Sequence, residues 1–182
     1  MGGAAAAGRP RAAGTPELTT LEQRSPTDPA TGWRYWQVRR DTGLLHSVTH
    51  RSVAWRPGRA QRAVCLIGGH EAPATGCACG IHAAPDLGTL REESLCLRPI
   101  DPLVVGEVAL WGAVVADAHG LRAQYAAPRR LALVVGPPGP EHGEAESLEQ
   151  LRAYGVPVDT MAPADALGDV AAAILGHQAM SG

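Results

Sequence analysis

The chain has 182 residues, of which 45% are hydrophobic and 19% are charged, and its formal net charge is −2. These values are typical of a single globular domain. They exclude a disordered chain and a membrane-embedded one, since no apolar run approaches the ~18 residues of a bilayer span. All sixteen basic residues are arginine, which we attribute to codon bias in a GC-rich genome. Without a basic surplus, no nucleic-acid partner is expected.

Residues 1–31 form a segment rich in Gly, Ala, Pro and Thr. Such a composition buries too little apolar surface to offset the entropy of ordering, so it predicts a disordered N-terminal arm with at most one short helix around residues 17–23. The segment lacks the cationic start and apolar stretch of a secretory signal, so we expect a cytoplasmic location. A single domain is predicted over residues 32–178.

Residues 33–135 are predicted to be β-rich. In "WRYWQVRR" (residues 33–40) Trp33 and Tyr35 fall on one face while Arg34 and Trp36 fall on the other, which indicates a strand covered on both faces. Further strands are predicted in residues 44–55, 60–67, 103–116 and 121–135. A short helix is expected within residues 86–101, ending before Pro99.

The Pro/Gly-rich stretch "GPPGPEHG" (residues 136–143) separates this region from a helical end at residues 144–176. Residues 144–155 have Leu148 and Leu151 at helical spacing and acidic residues in the first turn, which predicts a helix. A short extended piece and a second helix over residues 162–175 follow. The predicted fold class is therefore α+β, with a twisted, mainly antiparallel β core, a Cys/His-rich loop and two C-terminal helices.

The stretch "CLIGGHEAPATGCACGIHA" (residues 65–83) contains three of the four cysteines and two of the seven histidines. Its pattern Cys65-x4-His70-x6-Cys77-x-Cys79 offers three sulfurs and one imidazole, a ligand set that suits tetrahedral zinc. Four glycines give this loop conformational freedom to wrap around an ion. In a cytoplasmic protein a stable disulfide is not expected. We predict a structural metal site, with zinc as the ion.

Other interpretations of the same stretch stay open. The Cys-x-Cys spacing is one residue shorter than the common Cys-x2-Cys knuckle, and reduced cysteines also fill protein cores. Cys96 or His82 could replace His70 as the fourth ligand. A catalytic site would use Cys79 as a nucleophile with His82 as its base, or Glu71 as a general base beside a catalytic zinc.

Residues 106–131 are a second conspicuous segment. The simpler interpretation is a β-hairpin that turns at residues 117–120. Alternatively, Trp111, His119, Arg122 and Tyr125 bind a ligand, with the guanidinium as an anion clamp and the rings as stacking surfaces. A single Arg in a strand more often pairs with an internal carboxylate.

A series of short motifs lies between residues 33 and 158. They include C-x4-H-x2-P-x3-C-x-C-G-I (residues 65–81), V-x-L-W-G (residues 108–112) and G-x-R-A (residues 120–123). Together they resemble a family of bacterial proteins, common in actinobacteria, for which no activity is established. The resemblance implies a shared domain and adds no mechanism. That family often has Tyr at the position of His82, which implies that His70 is the ligand.

Two functional classes follow from these patterns. The first is a binding or adaptor domain that is stabilised by its structural metal and binds an unknown protein partner. The second is a small metal- or thiol-dependent enzyme, hydrolase-like, that uses the loop of residues 65–82. The chain has no phosphate-binding glycine motif, and neither a nucleic-acid nor a membrane partner is expected. A DNA-binding regulator is a weaker third interpretation, because the charge does not favour it.

Overall fold

A computed structural model describes residues 19–50, 52–97, 101–118, 120–136 and 142–173. Its strands are β1 Thr20–Arg24, β2 Ala30–Val38, β3 Leu45–Ser47, β4 Ala54–Trp55, β5 Gln61–Arg62, β6 Ile81–Ala83, β7 Leu103–Asp117, β8 Gly120–Val134 and β9 Val158–Met161. The helices are α1 Leu87–Glu92, a 3-10 turn at Glu93–Cys96, α2 His142–Arg152 and α3 Pro163–Ala166. A further helical segment covers residues 169–173.

The strands form one mixed sheet in the order β4-β3-β2-β7-β8-β5, with β1 added to β7 and both β6 and β9 added to β8. All pairs are antiparallel except β8 with β9. Trp33 and Ala84 exchange two backbone hydrogen bonds of 2.8 Å, which joins the end of β6 to β2. Strands β2, β7, β8 and β6 therefore form a closed circuit of backbone pairing.

Hydrophobic side chains cover both faces of this sheet. One cluster contains Trp36 and Trp55 together with Leu151 of α2, all with 0–1% exposure. The opposite cluster contains Tyr35 together with residues of α1 and α3. The α+β fold with a mainly antiparallel β core is thus confirmed, and so is the prediction that the β2 segment is covered on both faces.

The long hairpin of β7 and β8 is the centre of the sheet. The segment of residues 103–116, predicted to be β, is one fifteen-residue strand, β7. The register shifts between Trp111 and Val114, where Gly112 has a φ of +75°. This bulge lets the strand bend without breaking its pairing.

Two predicted strands are shorter than expected. The segment of residues 44–55 divides into β3 and β4, and of residues 60–67 only Gln61–Arg62 is a strand. The apolar side chains after Arg62 face outward: Val64, Leu66 and Ile67 are 70%, 84% and 94% exposed. They therefore lack the core contacts that would support a continued strand.

The helix predicted around residues 17–23 is wrong. Residues Thr20–Arg24 are strand β1, paired with residues 112–116 of β7. Residues 20–31 of the predicted N-terminal arm thus include β1 and the start of β2. Because β1 is almost wholly exposed, its order comes from backbone hydrogen bonds to β7 rather than from apolar burial, which composition does not reveal. Residues 1–18 lie outside the described residues, and a single domain over residues 32–178 stays a prediction.

The helical end also differs in detail. Residues 144–155 were predicted to be helical, and α2 is His142–Arg152. The single helix predicted over residues 162–175 is interrupted at Leu167, which is fully buried and extended with φ −127°. Arg91 donates a 3.0 Å hydrogen bond to the Leu167 carbonyl, and Ser94 Oγ accepts one from the Gly168 N–H. These contacts replace helical hydrogen bonds.

No described helix has the length and hydropathy needed to span a bilayer.

Candidate metal centre

The loop of residues 63–80 joins β5 to β6 and contains the four predicted ligands. The structure brings Cys65, His70, Cys77 and Cys79 together, with one ligand atom of each lying within 4.8 Å of all the others. These four residues lie close enough to hold a metal ion. The three thiols are partly buried, and the His70 side chain is at the surface.

Two distances within this group are close to the edges of a tetrahedral zinc site. The Sγ atoms of Cys65 and Cys77 are 3.9 Å apart, and His70 Nε2 is 3.3 Å from Cys79 Sγ. A tetrahedron with Zn–S of ~2.3 Å and Zn–N of ~2.0–2.1 Å has edges of about 3.8 Å and about 3.6 Å. A disulfide needs an S–S distance of ~2.05 Å. All three cysteines are free thiols.

Backbone hydrogen bonds within the loop favour the thiolate form of Cys65, which is the form that binds a metal ion. The Gly68 N–H donates a 3.2 Å hydrogen bond to Cys65 Sγ. This bond, together with a similar contribution from the Ile67 N–H, lowers the pKa of the Cys65 thiol and favours its thiolate. Gly68 is also required for space, because a Cβ there would lie 2.7 Å from His70 Nδ1. Burial raises the pKa of Cys79, and a bound cation would favour its thiolate.

A buried ion pair on the β7–β8 hairpin bonds the backbone of the loop and holds it in place. Arg122 is 5% exposed and bonds Asp117 through Nη2 at 2.9 Å and Nε at 3.3 Å. Its Nη1 donates to the backbone carbonyls of Ala74, Cys77 and Cys79. One guanidinium therefore fixes the backbone of two ligand residues.

His82 lies beside the site without joining it. Its Nε2 is 2.8 Å from the Ala78 carbonyl, between the two C-terminal ligands. Partial burial lowers the pKa of His82, which favours a neutral ring that donates from Nε2. The convergent group contains His70 and excludes His82. The side chain of Cys96, the other alternative, lies outside the described residues.

Gly80 lets the chain leave the site close to the hairpin. Its φ is +129°, and a Cβ there would lie 3.0 Å from the Arg122 Cβ and 3.1 Å from the Pro73 Cβ. Only glycine combines this backbone conformation with this approach.

The other candidate binding set is only partly assembled. Trp111 and Tyr125 stack with ring centroids 6.1 Å apart, and His119 lies outside the described residues. Arg122 pairs with an internal carboxylate, which was the simpler interpretation. Its guanidinium bonds Asp117 and the loop carbonyls. A ligand-binding role for these residues stays a prediction. The supporting role of Arg122 was missed, although Asp117, five residues earlier across the turn, was a usable signal.

A shallow groove of about 390 Å³ lies next to the cluster, lined by Arg62, Cys65, His70, Glu71 and Gln124 among others. Glu71, the proposed general base, is exposed and accepts a 3.2 Å hydrogen bond from Arg62. It contributes no atom to the convergent group.

Comparisons of the chain with protein-family models, with curated proteins and with solved structures find no match. The resemblance to a bacterial family therefore stays a prediction.

Proposed function

We propose that the chain binds one Zn²⁺ through Cys65, His70, Cys77 and Cys79, and that this ion is structural. The ion holds the loop of residues 63–80 in place on the sheet. The chain is a small cytoplasmic domain that acts as a binding or adaptor module. The observation that carries the proposal is the convergence of all four ligand atoms within 4.8 Å.

The donor chemistry favours zinc. Three thiolates and one imidazole are soft to borderline ligands, which suit zinc, whereas calcium and magnesium prefer oxygen. The 3.9 Å and 3.3 Å separations are close to the edges of a zinc tetrahedron.

A structural role is favoured because four protein ligands fill a tetrahedral site. A catalytic zinc commonly keeps one position open for water. The contacts from Arg122 and His82 to loop carbonyls hold the backbone that presents the ligands, as outer-shell partners of stable metal sites do.

Metal analysis of protein purified without added zinc tests the proposal. We expect one equivalent of zinc in the wild type and none in Cys77→Ser. Cys96→Ser is the matched control and retains the metal if Cys96 is no ligand. Likewise, His70→Ala loses zinc while His82→Ala retains it. A metal-free wild type, or loss of zinc in Cys96→Ser, would contradict the proposed ligand set.

The alternative is a metal- or thiol-dependent, hydrolase-like enzyme, and the groove beside His70 and Glu71 favours it. It predicts ester or peptide hydrolysis that is lost in Glu71→Ala with zinc retained. Our proposal predicts no such activity in either protein, and a metal content of one equivalent in both.

A further inference from the structure

Three large aliphatic side chains project from the metal loop, and we call them the apolar tip: Val64, Leu66 and Ile67. Their exposed fractions are 70%, 84% and 94%, the three highest among the exposed large hydrophobic residues described. Val64 and Leu66 flank the ligand Cys65 directly, and Ile67 follows Leu66. Clustered exposed apolar side chains mark interaction sites more often than single ones do.

The tip is held in place at both of its ends. The Ala63 N–H donates a 2.8 Å hydrogen bond to the Gln124 carbonyl of β8. Beyond the tip, the Gly68 N–H bonds Cys65 Sγ, so the bound ion proposed above would fix the second end. A preorganised tip loses little conformational entropy when it docks.

The sequence segment that carries the tip has more basic than acidic side chains, although the chain as a whole is negative. Residues 42–85 contain four arginines and one acidic residue, Glu71, while the rest of the chain contains twelve arginines and seventeen acidic residues. Arg56 and Arg59, in the turn before β5, are exposed and make no ion pair within the part of the chain that the structure describes. The charge asymmetry favours approach of this segment to an anionic surface.

A second copy of the chain fits this surface poorly. Residues 42–85 carry an excess of basic side chains in both copies, so contact between two tips gains no charge complementarity. Three aliphatic side chains also offer only a few hundred Å², less than the ~800 Å² per partner of a stable interface.

We propose that the apolar tip docks on an anionic lipid surface, with Leu66 and Ile67 inserted at the headgroup boundary and Arg56 and Arg59 facing the headgroups. A projecting tip enters a fluid interface without a preformed complementary cavity, which a protein partner would have to supply. Insertion of apolar side chains and attraction of arginines act together in such binding. The inference rests on the proposed function, because the ion holds the loop. It also replaces the expectation of no membrane partner, which depended on the lack of a spanning segment; peripheral docking requires none.

Co-sedimentation with lipid vesicles tests the inference, using the full chain loaded with zinc. The vesicles are phosphatidylcholine alone, or phosphatidylcholine with about one third phosphatidylserine. We expect binding to the anionic vesicles that is at least ~10-fold stronger than to the neutral ones and that weakens with salt. Leu66→Ser/Ile67→Ser should weaken it at least ~10-fold, and Arg56→Gln/Arg59→Gln by a similar factor.

Leu21→Ser is the matched control, because Leu21 is 54% exposed on β1, outside the tip. It should bind anionic vesicles as the wild type does. The inference is overturned if the zinc-loaded wild type binds neither vesicle, which would favour a protein partner for the tip, or if the double serine variant binds as well as the wild type, which would show that the tip takes no part in lipid binding. Zinc content is measured in every sample, so loss of the metal signals failure of the proposed function instead.

Discussion

The β7–β8 hairpin and the metal loop of residues 63–80 are stabilised by different forces. Along the hairpin, side chains such as Val104, Leu110 and Leu133 are fully buried, and the backbone is paired over almost its whole length. In the described loop, only Ala72 and Pro73 are buried, and Ala63 packs against the edge of the core. The loop is held instead by polar contacts and by the convergence of four ligands. Loss of the metal should therefore free the loop and leave the hairpin in place.

The largest effect is expected from Cys77→Ser. Structural zinc contributes roughly 10–16 kcal/mol of apparent binding free energy in small zinc domains, and removal of one thiolate should abolish stoichiometric zinc binding. Hydrogen exchange should accelerate in residues 63–80 and remain slow in β7 and β8, because the hairpin core does not depend on the ion. Equal acceleration in both regions would show that the two are not separable.

Arg122→Met breaks the connection between the two regions. It leaves Asp117 without its guanidinium partner and removes hydrogen bonds to three loop carbonyls. We expect a loss of about 3–5 kcal/mol in unfolding free energy and a roughly 10–100-fold weaker zinc affinity. Arg129→Met is the control, because Arg129 is half-exposed and pairs with Glu107 at 3.4 Å, which is worth ~1 kcal/mol or less.

Leu133→Ala acts on the hairpin alone. Leu133 is fully buried, and truncation to Ala in a core costs about 2–5 kcal/mol. Chemical denaturation should show this loss while the variant still binds one equivalent of zinc under native conditions. A reduced zinc stoichiometry would mean that packing of the hairpin core, and not only Arg122, positions the ligands.

Gly80→Ala tests the backbone conformation at the C-terminal end of the loop, directly before β6. The positive φ and the 3.0 Å approach to the Arg122 Cβ make alanine strained there, with an expected cost of about 1–3 kcal/mol in unfolding free energy. Gly69→Ala is the matched control in the same loop, because a Cβ there meets nothing within 4 Å and its φ is not positive. Thermal denaturation of the zinc-loaded variants should separate the two.

The smallest effect concerns the pH dependence from His82. Its pKa in the folded protein is lowered by partial burial from an ordinary value of 6.5, so below that pH the unfolded chain binds more protons than the folded one. The contribution of His82 to stability is therefore intact above pH 6.5 and is lost as pH falls towards the folded pKa. The free energy of unfolding should be measured against pH for the wild type and for His82→Gln. The difference between the two profiles gives the contribution of His82, because the metal ligands titrate equally in both. Parallel profiles would contradict it.

Periodicity and composition predicted much of the fold. The alternation of Trp33, Tyr35 and Trp36 predicted a strand buried on both faces, and the apolar runs around residues 103–135 predicted the two long strands. Strand β1 was missed because it is ordered by pairing with β7, which is a non-local interaction. The break at Leu167 was missed because it depends on Arg91 and Ser94, more than 70 residues away in the sequence.

The ligand types and their spacing are local properties, so the sequence by itself determined that Cys65, His70, Cys77 and Cys79 lie on one short loop. Whether they converge depends on where the ends of that loop are anchored. Tertiary structure alone decided this, through the pairing of β5 and β6 with β8 and the buried Arg122–Asp117 pair under the loop carbonyls. Tertiary structure also decided that Arg122 supports the site and that Val64, Leu66 and Ile67 face outward, because side-chain burial depends on the whole packed chain.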